Sequence, residues 1–344
     1  MLAYIGRRLL LMIPTLFGVL TLTFIIIQLV PGGPVEQLLA EARARTGGET
    51  GGYSARRDLD KKQVEELKRL YGFDKPPLER YVSMLKSFAQ FDLGRSFLRN
   101  KDVWQLIKEK MPVSISLGMW TFFLSYLISL PLGIAKAVRE GQRFDTLTTL
   151  VVLIGYAIPG FVLGVLLIVL FAGGTFFDWF PLRGLTSDNW SSLPWPARIT
   201  DYLWHLVLPL ICYAIGSFAI VTMLTKNMFI EEIRKQYVLV ARAKGLSERR
   251  VLYKHVFRNA LIPIITGFPS AFIGAFFASS LLIETMFSLD GLGLLSYESL
   301  VRRDYPVVLG TLYFFTLIGL VVKLIGDLMY VAADPRVQFA AVSK

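Results

Sequence analysis

The sequence predicts an all-α integral membrane protein with six transmembrane helices. Three observations carry that reading. First, 54% of the 344 residues are hydrophobic and 18% are charged, against ~45–50% and ~25% in a soluble domain. Second, the apolar residues sit in long blocks free of Asp, Glu, Lys and Arg. Third, Lys and Arg gather in alternate short connections between those blocks. The composition excludes a soluble globular enzyme. The 25 Phe, 14 Tyr and 6 Trp exclude a disordered chain. The single Cys212 excludes an internal disulfide framework.

A hydrocarbon core ~30 Å thick needs roughly 20 apolar helical residues. The charge-free blocks are Leu9–Val30, Met111–Ala135, Thr146–Phe177, Tyr202–Thr225, Asn259–Ile283 and Tyr305–Val322. In the last, apolar character resumes to Ala333 around Lys323 and Asp327. None alternates apolar and polar residues as a barrel strand does. The first block has 22 residues, more than a signal-peptide core of ~7–15, so a retained helix is expected. Pro14, Pro131, Pro159, Pro209, Pro263 and Pro269 lie in or at the ends of the blocks and predict kinks.

Arg7 and Arg8 precede the first span; Lys136, Arg139 and Arg143 lie between the second and third. Residues 226–258 carry nine Lys or Arg against three acids, whereas loops 178–201 and 284–304 carry two each. Basic short loops stay in the cytoplasm, so both termini are expected inside. Topology thus accounts for most of the formal net charge of +11, and nucleic acid is not needed. The expected division is an N-terminal span (1–30), an outer loop (31–110), a five-helix core (111–333) and a cytoplasmic tail (334–344).

The outer loop opens with the turn Pro31-Gly32-Gly33-Pro34. Asp60 and Gln63 suggest a capped helix ending at Gly72. A second helix is expected from Pro76-Pro77, with Leu78, Tyr81, Val82, Leu85 and Phe88 at helical spacing. These amphipathic helices would cover the spans or receive a partner.

The inner loop 226–258 is too long for a turn and too apolar for a tail. Gly245 interrupts two helical segments, and Ser247 is placed to cap the second. In that second segment Val251, Leu252, His255 and Val256 share a face. The small residues Ala241, Ala243 and Gly245 permit close approach to a groove on another protein. The same pattern fits a basic helix on anionic lipid. From pattern alone both stay open.

This segment resembles the EAA loop of permease subunits of ABC importers. Gly245 fills the family's glycine and Ala241 its second alanine; Leu239 and Val240 replace Glu and the first Ala. Residues 241–247 and 255–263 are similar to the oligopeptide/dipeptide branch. So are Arg7-Arg8 through Pro14, Gly72-Phe-Asp-Lys-Pro76, Asp92-Leu-Gly94-x-Ser96, Met111-Pro-Val-Ser114, Glu284-Thr-Met-Phe287, Gly291-Leu-Gly293 and Asp334-Pro-Arg336. Ala172-Gly-Gly174 and Phe180-Pro-Leu-Arg-Gly184 resemble the Yej-type B permeases, a group associated with peptides and with the peptide-nucleotide antibiotic microcin C.

The resemblance implies a permease half-pathway paired with a homologous second permease, ABC ATPase subunits that hold ATP and Mg, and a periplasmic peptide-binding protein. It implies ATPase coupling through Ala241, Arg242, Ala243, Lys244, Gly245, Leu246, Ser247 and Glu248. No bound cofactor and no catalytic residue are expected on this chain. It holds no Gly-x-x-x-x-Gly-Lys-[Ser/Thr] phosphate loop, so ATP hydrolysis belongs to another polypeptide. His205 and His255 are too far apart for a helical metal pair, and no nucleophile–base spacing stands out.

Charges at membrane depth are functional candidates. Glu284 would line the pathway or fix the end of the fifth span. Lys323 and Asp327, one turn apart, would pair or snorkel. A secondary transporter would need midplane ion sites, and the spans lack midplane carboxylates.

Overall fold

The computed structural model describes residues 2–29, 74–174, 176–277 and 281–333. The turn at 31–34, the helix expected over 60–72 and the tail from 334 lie outside the described residues. The helices are α1 (Leu2–Leu29), α2 (Pro77–Ala89), α3 (Val103–Val138), α4 (Arg143–Ala157), α5 (Gly160–Phe171), α6 (Trp195–Ile233), α7 (Gln236–Ala243), α8 (Ile262–Phe277), α9 (Leu281–Met286), α10 (Leu292–Val301) and α11 (Tyr305–Ala333). Between α7 and α8 lie a turn at Glu248–Arg250, a π-helix at Val251–Val256 and a turn at Phe257–Ala260.

Among the described residues four helices are long and apolar enough to cross a bilayer: α1, α3, α6 and α11. The bent pair α4–α5 makes a fifth candidate. The block at 259–283 holds α8, with 16 helical residues, and the start of α9.

The kink expected at Pro159 is present and sharp, since α4 and α5 meet at 94° within the third block. Ile158 is extended there (φ −85°, ψ 117°), as a residue before proline prefers. Pro159 stands at the N-cap of α5. One sequence expectation needs correction: Lys136 is not a loop charge. It lies within α3 and is fully buried, because polar groups of α4 replace its water.

The chain divides into two compact units, Met1–Met111 with Leu294–Leu320 and Pro112–Gly293 with Val321–Lys344. In the first, α2 lies against α1. Tyr81 packs on Phe24 with ring centroids 5.3 Å apart, and its hydroxyl lies 2.6 Å from that of Thr21. Phe88, the buried residue of α2, packs edge-on against Tyr313 of α11. Leu78 and Val82 of the same helix stay exposed. The Asp92-Leu-Gly94-x-Ser96 motif is a built turn. Asp92 accepts from the Gly94 N–H at 3.0 Å, and Gly94 has φ +77°. Ser96 donates to the buried Asp304, which also accepts from the Phe97 N–H at 2.9 Å.

The second unit is organised around α6. Close crossings need glycine. A Cβ on Gly133 of α3 would lie 2.6 Å from Thr225, and one on Gly160 would lie 2.5 Å from the Cys212 carbonyl oxygen. Small residues let apolar helices approach where lipid supplies no hydrophobic drive. Among the described residues two separate cores result. One gathers Leu117, Leu206, Cys212, Ile283 and Phe287. The other gathers Ala137, Phe229, Val238, Ala241, Val251 and Val256. The second core positions the site.

Candidate functional site

The segment between α6 and α8 is a folded element. α7 ends in a Schellman arrangement. The Gly245 N–H donates to the Arg242 carbonyl at 2.9 Å, and the Leu246 N–H donates to that of Ala241 at 3.4 Å. This closure needs a left-handed residue at the position after the cap, and Gly245 supplies it with φ +78°. Space around Gly245 is open, since a Cβ there would meet no atom within 4 Å. The glycine therefore serves backbone conformation first.

Arg242 and Glu248 clasp the turn in a two-pronged pair, Nε to Oε1 at 2.8 Å and Nη2 to Oε2 at 3.0 Å. Ser247 occupies the N-cap position of the next turn without a side-chain capping bond. Val238, Ala241, Val251 and Val256 point into the core, while Leu239, Val240 and Tyr253 stay exposed. Of the residues expected to couple, Arg242, Ala243, Lys244, Gly245, Ser247 and Glu248 are exposed, Leu246 is half-buried and Ala241 is buried. Ala241 thus makes room for the element's own packing.

A latch closes the base of the element. Tyr237 donates its O–H to Glu232 at 2.7 Å, and Asn259 donates to the Tyr237 oxygen at 3.2 Å. Lys235 holds the other Glu232 oxygen at 2.5 Å. Burial pushes the Tyr237 phenol above its ordinary pKa. The latch joins the entrance of the segment to its exit.

Next to this core lies a buried charge cluster. Lys136 Nζ bonds the Asp145 carbonyl at 3.0 Å and the hydroxyls of Thr148 and Thr149 at 2.8 and 2.7 Å. It also lies 3.2 Å from the Asp145 carboxylate. Lys226 of α6 reaches the two oxygens of that carboxylate at 2.7 and 2.8 Å. One carboxylate thereby ties α3, α4 and α6 together just before α6 enters the segment.

Glu284 lies in α9 beside the other core. It is fully buried. Ser114 accepts from the Leu292 N–H at 2.8 Å. A Cβ on Gly291 would lie 2.9 Å from both the Glu284 carboxylate and the Ser114 hydroxyl. Three residues singled out in separate sequence motifs therefore meet in one compact group. His205 is buried, with Nδ1 2.8 Å from the Asp201 carbonyl. Sequence reasoning missed Glu232, Tyr237, Asn259, Asp145 and Lys226. The only available signal was an acid or hydroxyl placed among basic and apolar neighbours.

Among the described residues, several helices long and apolar enough to cross a membrane carry a folded, charged element between α6 and α8. The family model for the inner membrane component of binding-protein-dependent transport systems matches residues 129–339. The chain belongs to that family, and to its peptide-importer branch of ABC permeases. It is 54% identical to the peptidoglycan transport system permease protein YejB of Agrobacterium fabrum, over 98% of each chain. It is 52% identical to the inner membrane ABC transporter permease protein YejB of Escherichia coli O157:H7, over 98% of this chain and 99% of that one. The di/tripeptide permease DppB of Pseudomonas aeruginosa is 34% identical over 98% and 99%. A chain of the MetNI methionine ABC transporter in an inward-facing conformation shares the fold, with TM-score 0.50 and 16% identity over 67% of this chain and 97% of that one.

Proposed function

We propose that this chain forms half of the translocation pathway of an ATP-driven, binding-protein-dependent peptide importer. It crosses the inner membrane six times with both termini in the cytoplasm. Its other half is a homologous permease. A separate ABC ATPase, holding ATP and Mg, grips the element at 241–248, and a periplasmic binding protein delivers the peptide. The observation that carries this reading is the built character of 236–260. The element has its own core, a glycine-closed helix end and a latch, with charged residues left on its outer face. A lever must transmit displacement without deforming, because ATP energy enters through that contact.

The mechanism follows from these parts. ATP-driven closure of the ATPase pair displaces the element. The latch and the Asp145 cluster carry that displacement into α6, α3 and α4, and access switches from outside to inside. The buried Glu284 group holds the outer end in one shape.

The decisive experiment is gentle purification followed by reconstitution. An ATPase and a second permease should co-purify, and vesicles should take up peptide only with ATP and binding protein. Uphill peptide transport by the chain alone would overturn the reading. The name of the Agrobacterium relative favours a second cargo reading, peptidoglycan material. Microcin C belongs to the same test series. Competition against a labelled tripeptide ranks the three.

A further inference from the structure

One cavity of the second unit is not used by the coupling argument. It holds about 590 Å³, within the ~300–1,000 Å³ range of small-molecule sites. Its walls come from α3, the α4–α5 break, α6 and α8. Among the described residues no charged side chain lines it. Its polar groups are the hydroxyls of Thr121, Ser125, Tyr126, Tyr156, Tyr213 and Ser217.

Three features set this cavity apart from ordinary packing between helices. The first is the break. Ile158, Pro159 and Gly160 form part of the wall, and a helix that ends there leaves its last-turn carbonyls without intrahelical donors. At membrane depth such backbone persists only inside protein or beside a wet cavity. The second is a pair of orphan hydroxyls. Thr121 and Ser125, one turn apart on α3, are 5% and 2% exposed, and neither has a hydrogen-bond partner. Nearby Ser129 and Thr225 do find backbone carbonyls, at 3.0 and 2.7 Å. A buried unsatisfied hydroxyl costs free energy, so its persistence points to a partner from outside the chain. The third is empty room beside glycine. A Cβ on Gly216 or Gly274, both on the wall, would meet nothing within 4 Å.

We infer that this cavity is a cargo-contact site that holds the uncharged main chain of a peptide in passage. The inference rests on the importer reading above. Hydroxyls both donate and accept, so they serve amide N–H and C=O groups alike without reading side chains. A ring of charges would instead select one terminus or one side-chain sign. The neutral set fits a conduit for varied peptides.

The test fills the cavity without disturbing the fold. Gly216→Leu and Gly274→Leu are made in the full complex, with Gly18→Leu as a control at an equally open glycine of α1. Uptake of radiolabelled trialanine should fall about tenfold or more in the cavity variants, the weight of one good set of contacts. Complex yield and basal ATP hydrolysis should hold, and Gly18→Leu should transport normally. Unchanged uptake in both cavity variants, or equal loss in the control, overturns the inference. Should the leucine variants fail to assemble, Thr121→Val with Ser125→Ala decides. A two- to fivefold rise in KM for uptake is expected, and an unchanged KM overturns the assignment. If the wild-type complex imports no peptide at all, the importer reading itself fails and takes this inference with it.

Discussion

At the residue scale, Gly245 separates two ideas about small residues in a docking element. If bulk at a contact were its whole reason, any larger side chain would fail alike. Its φ of +78° argues otherwise. A residue with a Cβ in that region pays ~1–2 kcal/mol, and Asn is the usual exception. Gly245→Asn should therefore keep most ATP-coupled uptake, whereas Gly245→Val should lose most of it at comparable protein level. Equal loss in both variants would return the role to contact size. Asp145 offers a second case. Its carboxylate faces two lysine ammoniums, and Lys136 is fully buried. Breaking a buried pair from one side costs roughly 3–5 kcal/mol. Asp145→Asn should lower the thermal midpoint of the purified complex by many degrees. Adding Lys226→Met should recover part of the loss, because one unpaired charge leaves with it.

At the element scale, the latch makes the segment between α6 and α8 move as one piece. Tyr237→Phe removes the donor to Glu232 but leaves the Lys235 pair in place. The expected stability loss is about 1 kcal/mol. The expected change in coupling is larger, with more ATP hydrolysed per peptide imported at near-normal complex yield. An unchanged ratio would mean that the latch is ornamental to transport. The long apolar helices α1, α3, α6 and α11 were legible from hydropathy because each exceeds a bilayer thickness. The Gly245 interruption was legible because glycine after a helical run signals a closing turn. The place of the α4–α5 bend was legible from Pro159, but its 94° angle was not, because a proline alone does not distinguish a kink from a break. Lys136 was misread because hydropathy scores an ammonium without its future partners. The Glu232–Tyr237–Asn259 latch was invisible because its members have no local period; they meet only once the segment folds back.

At the scale of the whole molecule, the charge distribution and the position of the coupling element make a single statement about orientation. Apart from Lys226, the basic residues of 226–258 are exposed, and the loop before α6 is poor in Lys and Arg. Positive residues in short connections are retained on the cytoplasmic side. The exposed turn at Ser247 should therefore face the cytoplasm and the loop at Ser191 the outside. The chain is suited to a direct measurement. Its one cysteine, Cys212, is buried, so introduced thiols report without a background. An impermeant maleimide added to intact spheroplasts should label Ser191→Cys and leave Ser247→Cys untouched until the membrane is opened. The reverse pattern would put the element on the wrong side for any ATPase. It would remove the basis for reading 236–260 as a lever, even though the family membership would stand. Labelling of both positions from outside would mean that the two loops share a side. That outcome would require an odd number of crossings fewer than proposed between them, and the 39-residue α6 would then lie within one compartment despite its apolar length.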